Sequence, residues 1–208
     1  SVPKSVSTLW AVSDSGTQAL IAEAHHQAMK DVLDIIERDV AMTRIGTEGP
    51  RGAVAQVGVR GVVAAAYDHY DSRASDPQLH THVVIANRVQ GVHDGKWRTL
   101  DSRALHAAVT GLSEHYNAVL SDHLARLLDV SWEERERDAG RMPRWEIAGV
   151  PQSLLDVFSS RTKDIERVKQ RLVEEYAAKH GRQPSRAQLW QIRQQATLTL
   201  IHHQPDGH

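Results

Sequence analysis

The sequence predicts an α+β fold, an antiparallel β-sheet with flanking helices. Three patterns carry that expectation. Apolar residues recur at helical spacing early in the chain (Ile21, Ala24, Ala28, Val32, Ile35) and again after Asp101 (Leu105, Ala108, Leu112, Tyr116, Val119). Between these helices lie short Val-rich runs, broken by glycine and by an Asp94-Gly95 turn signal. After Pro151 the periodic segments are helical, and strands early with helices late mark the α+β class.

Taken in order, residues 1–13 start a short helix, with Pro3 suited to its first turn. Asp14 to Thr17 form a break rich in capping residues. A long amphipathic helix is predicted over roughly 17–44, ended by Gly46, Gly49, Pro50 and Gly52. Val54 to Val59 and Val62 to Tyr70 are strands split by Gly61, and 71–79 form a loop containing Asp76-Pro77. His80 to Gln90 carries the strongest strand signal, and Trp97 to Leu100 is its return. Asp101 or Ser102 caps the second long helix. Two extended pieces, Val130–Glu134 and Trp145–Ile147, flank a loop holding Arg135, Arg137, Arg141 and Arg144. A helix through Ile165, Val168, Leu172 and Tyr176 stops at Gly181, and Ser185-Arg186-Ala187-Gln188 is a capping box opening the last helix. The tail from His202 to His208 is expected to be disordered.

At 208 residues the chain suffices for one full domain, or for a core with a small appendage. No apolar run reaches membrane-span length and no signal-peptide pattern opens the chain, so a cytoplasmic protein with no membrane partner is the simplest expectation. Cysteine is absent, which excludes disulfides and thiolate metal sites and leaves imidazole and carboxylate as ligands. The net charge of −1 hides an asymmetry: residues 161–193 carry nine Lys and Arg against four Asp and Glu. A basic C-terminal third suits a phosphate backbone, and equally suits a solvated helix surface.

The chemistry concentrates at three histidines. His80 and His82 sit two apart at the front of a strand, so their imidazoles share one face about 7 Å apart along the chain. His69 ends the neighbouring strand, and a hairpin would bring its ring beside the other two. Three neutral imidazoles with an open position describe a catalytic divalent-metal site rather than a closed structural one. Thirteen histidines also make chance pairs common, and the plain alternative is histidines hydrogen-bonded within a sheet. His25 and His26 are expected to cover the surface of the first long helix. The residues sharing the face of the three histidines, among them Ala65, Val84 and Ala86, suggest a dry, apolar surround. Arg73 follows the first histidine and can reach a phosphate or pair with Asp71 or Asp76. The four later arginines can line a groove, with Trp132 or Trp145 stacking on bases or, alternatively, both serving as core.

The run His69-Tyr70-Asp71-Ser72-Arg73-Ala74-Ser75-Asp76-Pro77-Gln78-Leu79-His80-Thr81-His82 resembles the metal segment of TrwC-type conjugative relaxases, the MobF group of the HUH single-strand endonucleases. Ser1-Val2-Pro3-Lys4-Ser5-Val6-Ser7, Gly95-Lys96-Trp97-Arg98, Tyr116-Asn117 and the stretch from Trp145 to Arg161 are similar to further family segments, in the same order. The resemblance implies a relaxase palm over 1–130 and a mainly helical flap over 131–208. It implies that His69, His80 and His82 hold a divalent cation, Mg or Mn in use, with Zn, Ni or Co acceptable to imidazole. It implies a partner, single-stranded DNA at an origin of transfer, nicked by transesterification through a tyrosine. In the family that tyrosine and an assisting acidic residue precede the Ser-x-Pro-Lys-Ser segment. None of Tyr67, Tyr70, Tyr116 and Tyr176 matches the nucleophile. The expectation is therefore a chain without its catalytic tyrosine, inactive alone, that self-associates or receives a separate N-terminal segment. Two other readings stand beside it. One is a metal-dependent hydrolase of another type, with Asp68 or Asp71 as base. The other is a non-catalytic DNA-binding module with structural histidines.

Overall fold

The computed structural model of the chain describes residues 1–46, 54–136 and 143–202. Helix α1 spans Lys4–Val12 and α2 spans Ser15–Ile35. The break between them is an N-cap: Asp14 accepts from the amides of Gly16 and Thr17. The first long helix is shorter than its periodicity suggests. It passes into a π-helical turn, Ile36–Val40, closed by a 2.6 Å bond from the Ala41 amide to the Ile36 carbonyl. Strand β1, Met42–Gly46, follows at once. Met42 and Ile45 serve a strand as readily as a helix end, so the sequence alone extends the helix too far.

β1 pairs antiparallel with β2, Val54–Gly58, in the register Thr43 opposite Val57. β3, Ala64–Asp71, pairs with β4, Pro77–Ile85, so the predicted loop contracts to residues 72–76. The predicted strand to Gln90 is interrupted after Ile85, and β5, Val89–Gln90, pairs with β6, Trp97–Arg98, across the Asp94-Gly95 turn. Bridges from Thr43 to Leu100 and from Val59 to Gly91 tie these pairs together. α3 spans Ser102–Leu128 and is capped by Asp101, as predicted. β7, Trp132–Arg135, and β8, Arg144–Ile147, form the last antiparallel pair. α4, Gln152–Val157, α5, Ser160–His180, and α6, Arg186–His202, complete the chain. Gly181 ends α5 in the left-handed conformation, φ 65°, which a Cβ disfavours. The capping box is present: the Ser185 amide donates to Gln188 Oε1 at 2.8 Å and the Gln188 amide to Ser185 Oγ at 3.4 Å. The predicted α+β class with small antiparallel sheets is what the chain forms. The expectation for the tail beyond His202 lies outside the described residues.

The chain divides into two compact units, Ser1–Tyr70 with Gln78–Val150, and Asp71–Pro77 with Pro151–His208. β7 and β8, which follow residue 130, belong to the first unit. That unit has two apolar clusters. One gathers Val2, Val6, Ile21, Ala24, Ala28, Leu79, Leu120, Leu124 and Ile147, so α1, α2, β4, α3 and β8 meet on it. The other joins Ile36, Ala41, Val89 and Leu100. In the second unit α5 packs against α6, where Ile192 and Ala196 are buried. None of the described helices is long and apolar enough to cross a membrane.

Candidate metal and nucleic-acid site

Strand alternation builds the site. His69 on β3, and His80 and His82 on β4, fall on one face of the hairpin, while Asp68 and Thr81 fall on the other. The three imidazoles form a nearly equilateral triangle, with ring centres 5.1 Å apart for His69–His80, 4.9 Å for His69–His82 and 5.0 Å for His80–His82. The His69 and His80 planes lie 27° apart, and the His82 plane stands at 89° and 76° to them. Around one divalent ion, with metal–nitrogen bonds of about 2.0–2.1 Å, ring centres roughly 1.1 Å further out and angles of roughly 90–110°, the centres stand about 4.5–5.3 Å apart. The spacing and the donor set fit a cation. As placed, among the described residues no group of three or more His, Asp or Glu stands ready to hold a metal. His80 is partly set, because its Nδ1 lies 2.7 Å from the Gln78 carbonyl and donates to it, leaving Nε2 as the free lone pair.

The surround differs from the dry one expected. β3 is exposed along its whole length, and Val84 is 60% exposed. An open face of this kind admits a large ligand without a channel.

The opposite face of the hairpin holds what the sequence concealed. His25, expected on the surface of α2, is only 2% exposed. Its Nδ1 lies 2.6 Å from Tyr116 Oη on α3, and its Nε2 lies 2.7 Å from Thr81 Oγ1 on β4. Thr81 donates in turn to Asp68 Oδ1 at 2.6 Å, and Asp68 Oδ2 accepts from His26 Nε2 at 2.8 Å. Burial holds the His25 pKa down, to about 4, helped by the neighbouring His26 and opposed by Asp68. Burial pushes the Tyr116 phenol up. The Thr81 hydrogen bond, then His26, hold the Asp68 carboxyl below its usual range. A signal for His25 was present: it stands four residues after Ile21 and three before Ala28, on the apolar stripe of α2. Asp68, weighed as a general base, is committed to Thr81 and His26 on the face away from the three rings.

Arg73 is exposed in the turn between β3 and β4. That turn is held by Ser72, whose Oγ accepts from the Ala74 and Asp76 amides, while Asp76 Oδ2 accepts from the Arg161 amide at 3.2 Å. Arg135 and Arg144 face each other across β7 and β8. Arg135 is engaged with Glu133 Oε1 and the Val150 carbonyl, both at 2.5 Å, whereas the Arg144 residue is exposed. Arg137 and Arg141 lie outside the described residues. Trp132 packs against the core and donates to the Ser121 carbonyl at 3.3 Å. Trp145 is 56% exposed, so the two tryptophans are not both core. Tyr70 stacks on Trp10 with ring centres 5.2 Å apart, and by alternation lies on the face away from His69.

A hairpin with three clustered histidines on an exposed face of an α+β frame defines a class of candidate metal-binding proteins. Comparison makes the class specific. The chain matches the TrwC relaxase family over residues 1–199, and it belongs to that family. It is 36% identical over 172 residues to the multifunctional conjugation protein TraI of Escherichia coli, covering 79% of this chain and 9% of TraI. A second TraI, from Escherichia coli strain K12, is 33% identical over 172 residues with the same coverage. The chain thus spans about a tenth of these relatives' length. Among solved structures it is similar to conjugative relaxase TrwC in complex with oriT DNA in a metal-bound form, with TM-score 0.70 and 29% identity, covering 99% of this chain and 63% of TrwC. It is equally similar to TrwC complexed with a 27-mer DNA comprising the recognition hairpin and the cleavage site, with TM-score 0.71 and 29% identity, covering all of this chain and 66% of that one.

Proposed function

We propose that this chain is the metal-bearing part of a conjugative DNA relaxase, which binds single-stranded origin-of-transfer DNA and supports its strand-specific nicking by transesterification. The observation that carries the proposal is the imidazole triangle on an exposed hairpin face, in a chain of the TrwC relaxase family. The TrwC structures similar to it were solved with oriT DNA, in metal-bound and copper-bound forms among others.

On this reading His69, His80 and His82 supply three neutral nitrogens, and the Gln78 carbonyl fixes which nitrogen of His80 is offered. A divalent cation held there would neutralise charge on a non-bridging oxygen of the scissile phosphodiester. Mg or Mn is the working ion on this proposal, and imidazole ligands also admit Zn, Ni or Co. Arg73 and Arg144, both exposed, are proposed phosphate contacts, and Arg137 and Arg141 are proposed as contacts to the same DNA. Arg135 supports the β7–β8 pair and is the least available of the five. The attacking tyrosine is proposed to lie outside these 208 residues, because none of the four present matches the nucleophile's place in the family segments; of them, Tyr116 is bound to His25 and Tyr70 is stacked on Trp10. The exposed strand β3, paired with β4, offers an edge on which a strand from another segment or a second copy can add.

The test is incubation with MnCl2 and a labelled single-stranded origin oligonucleotide. Metal-dependent binding of the single strand, with no adduct surviving denaturation, is expected. Cleavage of small phosphodiesters without preference for single-stranded DNA would favour the other hydrolase. DNA binding untouched by both EDTA and His80→Ala would favour the non-catalytic module.

A further inference from the structure

We propose that Tyr116 and His25 are positioning residues for the three-histidine face, acting through Thr81 and Asp68 on the far side of the β3–β4 hairpin; the inference deepens the metal-site reading and rests on it.

The protons along the network can be assigned. Thr81 donates its one hydroxyl proton to Asp68 Oδ1. Thr81 Oγ1 must then accept from His25, which puts the imidazole proton on Nε2. Neutral His25 is left with Nδ1 as a lone pair, and Tyr116 donates to it. The result is a one-way chain of donors, from α3 through α2 to β4 and then β3. Such chains polarise one another and strengthen. Each link is 2.6–2.7 Å long.

Its endpoints give it consequence. Thr81 stands between His80 and His82, and Asp68 directly precedes His69. The Thr81–Asp68 bond therefore joins the two strands between the ligand positions, on the opposite face. His25 holds that joint at a fixed height above α2. The root of the hairpin is held at Leu79 by Ser7 and Val2, and this network ties it to α2 and α3 at the level of the rings themselves. Outer-shell partners of this kind typically change metal affinity by about 10- to 100-fold.

The test uses the full chain and MnCl2, with affinity read by titration calorimetry and ring positions read from crystals of each variant. Tyr116→Phe and Thr81→Val remove one hydroxyl each with little change of volume, and Thr81→Ser restores the hydroxyl. The expected result is about 10- to 100-fold weaker Mn binding for the first two and near wild-type binding for Thr81→Ser, with the ring triangle opened. His82→Ala is the control for the metal reading itself. If it binds Mn as wild type does, the metal site is wrong, and the ring positions alone then judge the positioning role. Rings still about 5 Å apart in both Tyr116→Phe and Thr81→Val would overturn the proposal. So would unchanged Mn affinity in those variants when His82→Ala abolishes it. Should Thr81→Val fail to fold, Tyr116→Phe decides.

Discussion

The Ile147 amide donates to Ser5 Oγ at 2.8 Å across 142 residues of chain. The same serine's amide donates to Glu146 Oε2 at 2.8 Å, so a carboxylate from β8 caps the first turn of α1, where Pro3 offers no side-chain cap. Two residues on, Ser7 Oγ accepts from the Leu79 amide at 3.1 Å, and the Val2 amide donates to the Leu79 carbonyl at 3.2 Å. Ser5 and Ser7 are fully buried. Three sequence segments that carry the family resemblance, Ser1–Ser7, the run ending His80-Thr81-His82 and Trp145–Ile147, are thereby bolted together at the root of the histidine hairpin.

Ser7→Ala is expected to leave the Leu79 amide buried without an acceptor, at a cost of about 1–3 kcal/mol. Glu146→Ala strands the Ser5 amide at a similar cost, and Glu146→Gln, which keeps an acceptor, costs less. Urea unfolding of the three variants checks the ranking; equal stability for Glu146→Ala and Glu146→Gln would refute the cap.

Leu124 is fully buried in the cluster where α2 and α3 meet. Leu124→Ala is expected to cost about 2–5 kcal/mol, through lost transfer energy and the cavity left. Val109 on the same helix is 52% exposed. Val109→Ala is expected to fall within about 0.5 kcal/mol of the parent. Thermal melts of the pair separate the core face of α3 from its outer face.

His25 makes stability depend on pH. Its native pKa is held down to about 4, while an unfolded histidine titrates near 6.5. Between those values the unfolded chain binds a proton that the native chain refuses. The contribution is therefore complete above about pH 6.5 and is lost as pH falls towards 4. After discounting for solvent screening it is about 2 kcal/mol. The charges of His26, Asp68 and His80 act on His25, and Tyr116 is bonded to it. The difference in stability between wild type and His25→Gln, measured from pH 7 to pH 4, isolates the effect. It should shrink with acidification, and a difference that stays flat would contradict the assignment.

Much of this arrangement was legible in the sequence. The histidine spacing, the Asp94-Gly95 turn, the Asp101 cap and the Ser185 capping box are local signals, and local geometry delivers them. What the sequence hid is tertiary. β1 escaped because Met42–Gly46 continues the helical period of α2 until the π-turn redirects it. His25 escaped because a polar residue on an apolar stripe looks like an exposed one until Tyr116 and Thr81, from distant segments, satisfy both its nitrogens. The partners of Arg135, Glu133 and the Val150 carbonyl, are also tertiary and invisible in the sequence.

That contrast among the arginines is measurable. Arg144→Ala is expected to weaken binding of a single-stranded origin oligonucleotide and to reduce the slope of log affinity against log salt by about 0.7, one phosphate's worth. Arg135→Ala is expected to lower stability and leave the salt slope unchanged.

His69, His80 and His82 are expected to turn onto one cation. Anomalous diffraction from crystals of the full chain soaked in MnCl2 tests it most directly. The expected result is one strong Mn peak within bonding distance of a ring nitrogen from each of the three. A peak elsewhere, or none at the triangle, would contradict it.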